Sequence, residues 1–268
     1  KWFSEVTDGA TKKSESVRSE WKEKIAEEVE GVPVPKGFTY KEGTKDTGLV
    51  IHDEKGNEFV WVPATVSTYI KDTSFPSYNN IKPTGDDTLP NGITNETTDV
   101  KKYGGFYIGR YEAGVPENQS SIDGESSSTS DVKGVPVSKK DATVWSNISY
   151  PNAKANAENM ISNEYVQTGL ITGTAWDTVC HWIKSDGELK DSRTYGNYSN
   201  SLAPANVLGY GTKQVAGFSE NWKIKNIYDL AGNVWEWTSE VCSSYSFSRG
   251  GSCRGDGGDV PVSYRLLP

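Results

Sequence analysis

The feature that most constrains the fold is a stretch near the C-terminus in which a glutamate stands between two tryptophans. Each indole must bury a large apolar area and find a partner for its N–H, which a solvated loop does not offer. Further along, two adjacent glycines predict a close backbone crossing or a positive φ angle. We therefore predict that these two motifs form a buried scaffold, read in the sequence as Ala231-Gly232-Asn233-Val234-Trp235-Glu236-Trp237-Thr238 and Arg249-Gly250-Gly251-Ser252.

The size and composition of the chain favour a loop-rich globular protein. Its 268 residues suffice for one large domain or two ordinary ones. Nine tryptophans and fourteen tyrosines can fill a core that has few aliphatic residues. Twenty-seven glycines and twelve prolines predict many turns.

Net charge and hydropathy exclude two classes of partner. The formal charge of −8 argues against binding to a phosphate backbone, which needs clustered lysine and arginine, so we expect no nucleic-acid partner. No run of about 18 apolar residues is present, so we expect no membrane span in this chain. The chain starts at Lys1, so we expect a trimmed or processed form, in which any export or anchor sequence would not be seen. Pairing of Cys242 with Cys253 stays open.

The N-terminal region predicts a helical stem. Residues Ser14 to Glu30 have a helical spacing of apolar side chains, with Val17, Trp21, Ile25 and Val29 on one face. This helix either packs on its own domain or acts as a stem through which copies associate. Val32-Pro33-Val34-Pro35 then ends the helix and predicts a stiff connector. The predicted domains are therefore a stem and linker at 1–35 and a globular domain at 36–268.

Within the globular domain the patterns predict an α+β fold. Residues 48–63 predict a β-hairpin and residues 104–111 an aromatic strand, because β-branched and aromatic runs flank turn residues. Helical spacing appears at 139–160, with Pro151 interrupting, and at 174–184. The polar, turn-rich residues 67–100 predict a surface insertion, and the serine-rich residues 117–130 a mobile loop.

Taken together, four motifs resemble the formylglycine-generating enzyme family over roughly residues 100–265. The resemblance implies a C-type lectin-like fold, in which Glu112 and Asp177 would be part of the scaffold. It also implies a further strand beyond Ser263-Tyr264-Arg265; here either that strand is missing, which would leave a sheet edge unpaired, or another segment replaces it. The motifs are Phe106 to Glu112, Leu170 to Trp176, Asn226 to Thr238, and Arg249 to Ser252.

The enzymes of that family use a cysteine pair just after the Arg-Gly-Gly-Ser motif to bind copper and activate oxygen. Soft thiolates suit a Cu(I) site. Here only Cys253 lies in that segment, and Cys242 precedes the motif. We therefore expect that the chain is not an enzyme. The alternative is a copper-dependent formylglycine-generating oxidase that acts on sulfatase cysteines.

A second branch of the same fold is more similar to this chain: the variable proteins of diversity-generating retroelements, found in bacteria and phages. In those proteins, asparagine codons of a C-terminal segment are mutated at adenines, so lysine, glutamate, glutamine, methionine and tryptophan cannot arise. All five are missing from residues 241–268. We expect variable, ligand-binding positions around the constant Arg249-Gly250-Gly251 and Ser263-Tyr264-Arg265, namely Ser243, Ser244, Tyr245, Ser246, Phe247, Ser248, Cys253, Arg254, Asp256, Gly258, Asp259, Val260, Val262 and Leu266.

These observations predict a non-enzymatic, receptor-type protein that binds varied protein or glycan targets. We expect it outside the cell or on the cell surface, because a varied binding surface is useful where targets vary. Oligomers would form through the N-terminal helix.

Two interpretations of Asn233 and Glu236 stay open. Together with Asp229 they offer oxygen ligands for calcium, as in related members of the family. Alternatively they form hydrogen bonds with buried backbone groups, as any buried polar residue must. Apart from this calcium ion, we expect no cofactor.

Overall fold

The computed structural model describes residues 24–87, 96–117, 132–184, 188–202 and 209–267. Over these residues the chain has three α-helices and eleven strands in small antiparallel sheets, so the α+β class is confirmed. The helices are α1 (Glu96–Tyr103), α2 (Tyr150–Met160) and α3 (Gly173–Ile183). The strands are β1 (Ile25–Val29), β2 (Val32–Pro35), β3 (Phe38–Glu42), β4 (Val50–Asp53), β5 (Glu58–Pro63), β6 (Gly85–Asp86), β7 (Gly105–Gly109), β8 (Lys223–Ile224), β9 (Ile227–Tyr228), β10 (Glu236–Cys242) and β11 (Tyr245–Arg249).

The largest sheet has the order β3-β4-β5-β7, with every neighbouring pair antiparallel. The predicted hairpin at 48–63 and the predicted aromatic strand at 104–111 are both confirmed in it. Side chains of β5 alternate between two cores, because successive residues of a strand point to opposite faces. Val60 and Val62 pack with Trp176 of α3, whereas Phe59 and Trp61 pack in a second cluster.

The predicted helix is wrong over residues 25–29, whereas Lys24 is helical. Residues 25–29 form β1, which pairs with β2 in an antiparallel ladder through Val29 and Val32. The predicted connector at 32–35 is wrong too, since Val32 and Val34 are fully buried against Leu49 of the main domain. The apolar spacing that suggested a helix face also fits a strand whose valines meet the core. Residues 14–23 of the predicted stem lie outside the described residues.

The predicted helices and surface segments of the globular domain are confirmed only in part. The helix at 174–184 is confirmed as α3, whereas the one at 139–160 is helical only from Tyr150, because Pro151 begins the helix instead of interrupting it. The insertion at 67–100 is not confined to the surface, since Tyr69 and Phe75 are buried. The loop predicted at 117–130 lies almost wholly outside the described residues. No helix in the described ranges has the length and apolarity needed to cross a bilayer.

The sheet β11-β10-β6 carries the C-terminal motifs, and its hairpin is strongly irregular. Trp237 pairs with Ser248 and Val241 with Ser246, so β10 bulges between these two pairs. After the hairpin the chain returns to β11, where Leu266 and Ser248 exchange two backbone hydrogen bonds of 2.9 Å. The edge of β11 predicted to be unpaired is therefore partly covered by the chain itself.

Close backbone packing at Gly232 predicts a strong effect of a single methyl group. A Cβ atom there would lie 2.1 Å from the Asn197 carbonyl oxygen, and φ is +82°. Gly37 has a similar φ of +89° with nothing within 4 Å, so it is a matched control. We expect Gly37→Ala to cost about 1–2 kcal/mol from the φ angle alone, and Gly232→Ala to cost clearly more. Urea denaturation checks this, and equal costs would contradict it.

Candidate ligand-binding surface

Four fully buried charged side chains form the centre of the C-terminal region. Arg249 donates to Asp177 at 2.8 Å and to Glu240 at 3.1 Å. Arg265 donates to the same two carboxylates, at 2.5 and 3.0 Å. Two positive and two negative charges therefore close a balanced ring, which we call the ion network. It joins α3, β10, β11 and the C-terminal segment.

The two arginines also bind the backbone of the segments around them. Arg249 donates to the carbonyl oxygens of Ser263 and Tyr264, and Arg265 to that of Asp72. Burial would raise the pKa of Glu240, but the charges of Arg249 and Arg265 outweigh burial and lower it. The charges are thus paired and largely hydrogen-bonded, as buried charges require. The second Glu240 oxygen has no hydrogen-bond partner among the described residues and lies 3.4 Å from the Lys71 ammonium group.

Gly250 and Gly251 follow Arg249 at a close crossing, as predicted. Both have positive φ, +90° and +85°. A Cβ on Gly251 would lie 2.6 Å from the Tyr198 ring, and the Tyr198 hydroxyl donates to the Gly250 carbonyl oxygen at 2.7 Å. The double glycine lets the chain pass over Tyr198 and Trp176 before it enters the segment at 253–259.

The two tryptophans of the scaffold motif are only half-buried, which corrects the prediction of a fully buried core element. Trp237 donates its N–H to the Ile148 carbonyl oxygen at 2.9 Å and packs edge-on against Tyr150 at 5.7 Å. The Trp235 ring lies 6.2 Å from the Tyr264 ring. Both indoles line an internal cleft of about 830 Å³.

Asn233 acts as a structural hydrogen-bonding residue. Its side-chain oxygen accepts from the Gln214 backbone N–H at 2.9 Å and from Asn197 at 3.1 Å. Its amide nitrogen donates to Glu112 at 2.5 Å. Because both lone pairs of the oxygen are engaged, Asn233 fits the hydrogen-bonding interpretation. Calcium at Asn233 and Glu236 stays a prediction. No group of three or more His, Cys, Asp or Glu with metal-site geometry occurs in the described ranges.

Three carboxylates lie close to Asn233 and have raised pKa values. Burial raises the pKa of Glu236 to about 8, with the charge of Asp229 adding to it. Burial also raises the pKa of Asp229 to about 7 and that of Glu112 well above its usual value. One oxygen of Asp229 has no hydrogen-bond partner among the described residues. This group, which we call the carboxylate cluster, contrasts with the balanced ion network.

The predicted ligand-binding residues separate by exposure. Those that face solvent are Ser243, Ser244, Tyr245, Arg254, Asp256, Gly258 and Asp259. Half-buried are Ser246, Val260 and Leu266. Four are buried in the core, which corrects their assignment as ligand contacts: Phe247, Ser248, Cys253 and Val262. Phe247 and Ser248 are buried because β11 lies between the bulged strand β10 and the C-terminal segment that pairs with Ser248. Val262 is buried because its segment packs on Trp176.

The exposed residues form two groups at opposite ends of β11. Residues 243–245 make the turn of the hairpin, and residues 254–259 lie beside Ser199 and Asn200, to which they are hydrogen-bonded. Tyr245 and Arg249 are four residues apart in β11, which places them about 13 Å from each other. Trp237 pairs with Ser248 within the hairpin and packs against Tyr150, and Trp235, just before the Glu236–Arg249 pair, packs against Tyr264.

The cysteines do not form a pair. No disulfide joins Cys180, Cys242 and Cys253, and Cys180 and Cys253 are buried. Cys242 pairs with Tyr245 near the turn of the hairpin, whereas Cys253 donates its backbone N–H to the Asn233 carbonyl oxygen. The disulfide left open by the sequence is therefore not formed.

Comparisons with protein-family models, curated proteins and solved structures give no match.

Some residues of the ion network were missed by the sequence analysis and are identified only by their contacts in the structure. Glu240 is the main one: its two arginine partners follow it by 9 and 25 residues, while Asp177, the other acid of the ring, precedes it by 63. The only sign of Glu240 in the sequence was an acidic residue directly after the hydroxyl residues Thr238 and Ser239. Asp177 is confirmed as scaffold.

Removal of one charge from the ion network predicts severe destabilisation. Asp177→Asn leaves Arg249 and Arg265 with excess buried positive charge, which typically costs about 3–5 kcal/mol. Asp191→Asn removes a carboxylate from a half-exposed pair with Arg193 and is the matched control. We expect a large drop in the urea midpoint for the first variant and almost none for the second. Similar midpoints would show that the network does not hold the fold.

The carboxylate cluster predicts that stability falls as pH rises. Acids with raised pKa values bind protons in the folded state that they lose in the unfolded state, so their contribution is full below about pH 4 and lost towards about pH 8. Glu236→Gln removes one of these groups and should flatten the decline in melting temperature. Glu54→Gln, on an exposed turn, should leave it unchanged. An equal slope in wild type and Glu236→Gln would contradict the assignment.

Proposed function

We propose that this chain is a non-enzymatic binding protein with a C-type lectin-like domain of the formylglycine-generating type. Its exposed C-terminal residues contact varied protein or glycan ligands. One observation carries the proposal: buried Arg249 and Arg265 alternate along a short segment with exposed residues. The exposed set is Ser243, Ser244, Tyr245, Arg254, Asp256, Gly258 and Asp259.

The separation between buried scaffold residues and exposed contact residues supports this proposal. A rigid scaffold that holds the ends of loops in place lets exposed side chains change without unfolding the domain. Tyr245 and Arg254 supply large contact areas and directional hydrogen bonds, and the serines and glycines supply adaptable ones. The half-buried Trp235, Trp237 and Tyr264 add aromatic area in the same C-terminal region.

The composition of residues 241–268 supports diversification by a retroelement. The segment lacks all five residues that pyrimidine-ending codons cannot encode. In this proposal the seven exposed positions vary freely, and the half-buried Ser246, Val260 and Leu266 vary within limits of size. The buried Phe247, Ser248, Cys253 and Val262 serve the core.

A pair of displayed libraries tests the binding function. The first randomises the seven exposed positions, and the second randomises seven exposed positions elsewhere: Lys41, Glu54, Lys55, Val66, Ser67, Lys101 and Asn159. Both libraries should keep a high folded fraction, measured by protease resistance. Selection against a panel of proteins and glycans should yield binders mainly from the first library, because only its positions belong to the proposed binding surface. Equal yields from both libraries would contradict the proposal.

The alternative is the copper-dependent oxidase. It needs two thiolates close together, and the hairpin separates Cys242 from the buried Cys253. Incubation with copper, oxygen and a sulfatase peptide that contains cysteine should give no formylglycine. Turnover that Cys253→Ser abolishes would establish the oxidase instead.

Location and assembly are part of the same proposal. A varied binding surface is useful where targets vary, so we place the protein outside the cell or on its surface. Association of copies through the N-terminal residues would add avidity. Since residues 25–29 form a strand, any association helix must lie before them.

A further inference from the structure

The internal cleft extends from the C-terminal motif to one face of the largest sheet. Phe59, Trp61 and Tyr107 of strands β5 and β7 line it, as do Trp235 and Trp237 of the motif. Its volume of about 830 Å³ far exceeds that of the voids in a close-packed interior, few of which hold more than a water molecule. Ligand pockets have volumes of roughly 300–1,000 Å³, so the cleft has the size of a site for a small molecule.

Helix α2 lies over the same face of the sheet and leaves space above it. Met160 and Ile161 at the end of the helix pack on the cluster that contains Trp61. Ala153 and Ala157, about one turn apart and so on one side of the helix, line the cleft. Because their methyl groups fill little volume, the space between this part of the helix and the aromatic side chains of the sheet stays open.

Two indole N–H groups in the wall of the cleft have no acceptor among the described residues. They belong to Trp61 and Trp145, whose side chains line the cleft and which are 2% and 7% exposed. Trp176 and Trp237 show the usual arrangement, since their N–H groups donate to backbone carbonyl oxygens at 3.0 and 2.9 Å. A buried donor without an acceptor is costly, and an acceptor brought in by a ligand removes that cost.

These features define the chemistry of the occupant. The rings of Phe59, Trp61 and Tyr107 offer apolar surfaces on which another aromatic ring packs well. The unsatisfied groups are donors, so the occupant needs an acceptor oxygen. An anion is disfavoured, because ionised Glu112 and Glu236 in the same cleft would repel it. A carbonyl oxygen on a neutral aromatic molecule meets these three conditions.

We propose that the internal cleft binds a small, neutral aromatic molecule with one or more carbonyl groups, which packs on Trp61 and Tyr107 and accepts hydrogen bonds from the indole N–H groups of Trp61 and Trp145. This site goes beyond the proposed binding function, because its ligand is enclosed by the domain and not held by the exposed C-terminal residues. The two sites use different residues, and neither requires the other.

Fluorescence titration with propionyl-dimethylaminonaphthalene tests the proposal. The emission of this neutral aromatic ketone shifts to shorter wavelength when its surroundings become apolar. Wild type should bind the ketone saturably at a single site, with such a shift. Dimethylaminonaphthalene, which lacks the carbonyl group, should bind about threefold more weakly or worse, since a hydrogen bond is lost.

Two alanine variants of α2 locate the bound ketone. Ala157→Leu places a larger side chain in the cleft, so the ketone should bind at least about tenfold more weakly, while filling a cavity keeps the melting temperature at or above that of wild type. Ala155→Leu is the matched control, because Ala155 is exposed on the same helix and does not line the cleft. This variant should bind the ketone as wild type does.

Trp145→Phe separates the hydrogen bond from the packing. The substituted ring keeps an apolar wall without an N–H, so affinity for the ketone should fall about threefold or more, whereas affinity for dimethylaminonaphthalene should change little. Trp222→Phe is the control, since Trp222 has an equally unsatisfied N–H among the described residues and is buried away from the cleft. It should alter neither affinity.

Three results overturn the proposal: no saturable binding of the ketone by wild type, equal affinity for the two naphthalenes, or unchanged ketone affinity in Ala157→Leu. An equal loss of affinity for both naphthalenes in Trp145→Phe would show that the indole N–H does not bind the carbonyl oxygen, and would also overturn it. The library experiment reads only the exposed positions, so its failure and the failure of this titration are distinguishable.

Discussion

The ring of Arg249, Arg265, Asp177 and Glu240 is the interaction on which the C-terminal half of the structure depends. It closes between a helix, two strands and a segment that has almost no regular structure. Because Arg249 and Arg265 also bind backbone carbonyls, the irregular residues after β11 are held in place. Removal of any one charge would leave its partners buried and uncompensated, so the four residues act as a unit.

Two buried groups of acids lie near each other and differ in their balance. In the ion network each carboxylate faces two guanidinium groups, and the arginines lower the pKa of Glu240 despite its burial. In the carboxylate cluster Glu112, Asp229 and Glu236 face one another, and burial raises their pKa values. The first group fits a purely structural role. The second weakens the fold at neutral pH.

The sequence predicted those parts that depend on neighbouring residues. The hairpin at 48–63, the strand at 104–111, helix α3 and the crossing at Gly250-Gly251 all follow from local spacing and turn chemistry. Residues 25–35 were mispredicted because their apolar spacing fits a helix face and a buried strand alike, and only Leu49 and its neighbours decide between them.

The candidate site could be predicted only in part, because it too depends on contacts between residues that are far apart in the sequence. The position of the exposed residues around Arg249 follows from the motif, but the burial of Phe247 and Val262 depends on a bulge and on a helix far away in sequence. Glu240 was missed because its partners are spread over the chain. The carboxylate cluster joins Glu112 to Asp229 and Glu236, more than a hundred residues away, and no local pattern reveals such a group.

The most direct test of the central claim is the DNA that encodes and surrounds residues 241–268, sequenced from many cells of one population. The account predicts a near-copy of this segment close to a reverse-transcriptase gene, differing mainly at adenines. It also predicts substitutions at the codons of the seven exposed residues, with Arg249 and Arg265 constant. A segment without such a copy, or with substitutions spread evenly over buried and exposed codons, would contradict the account.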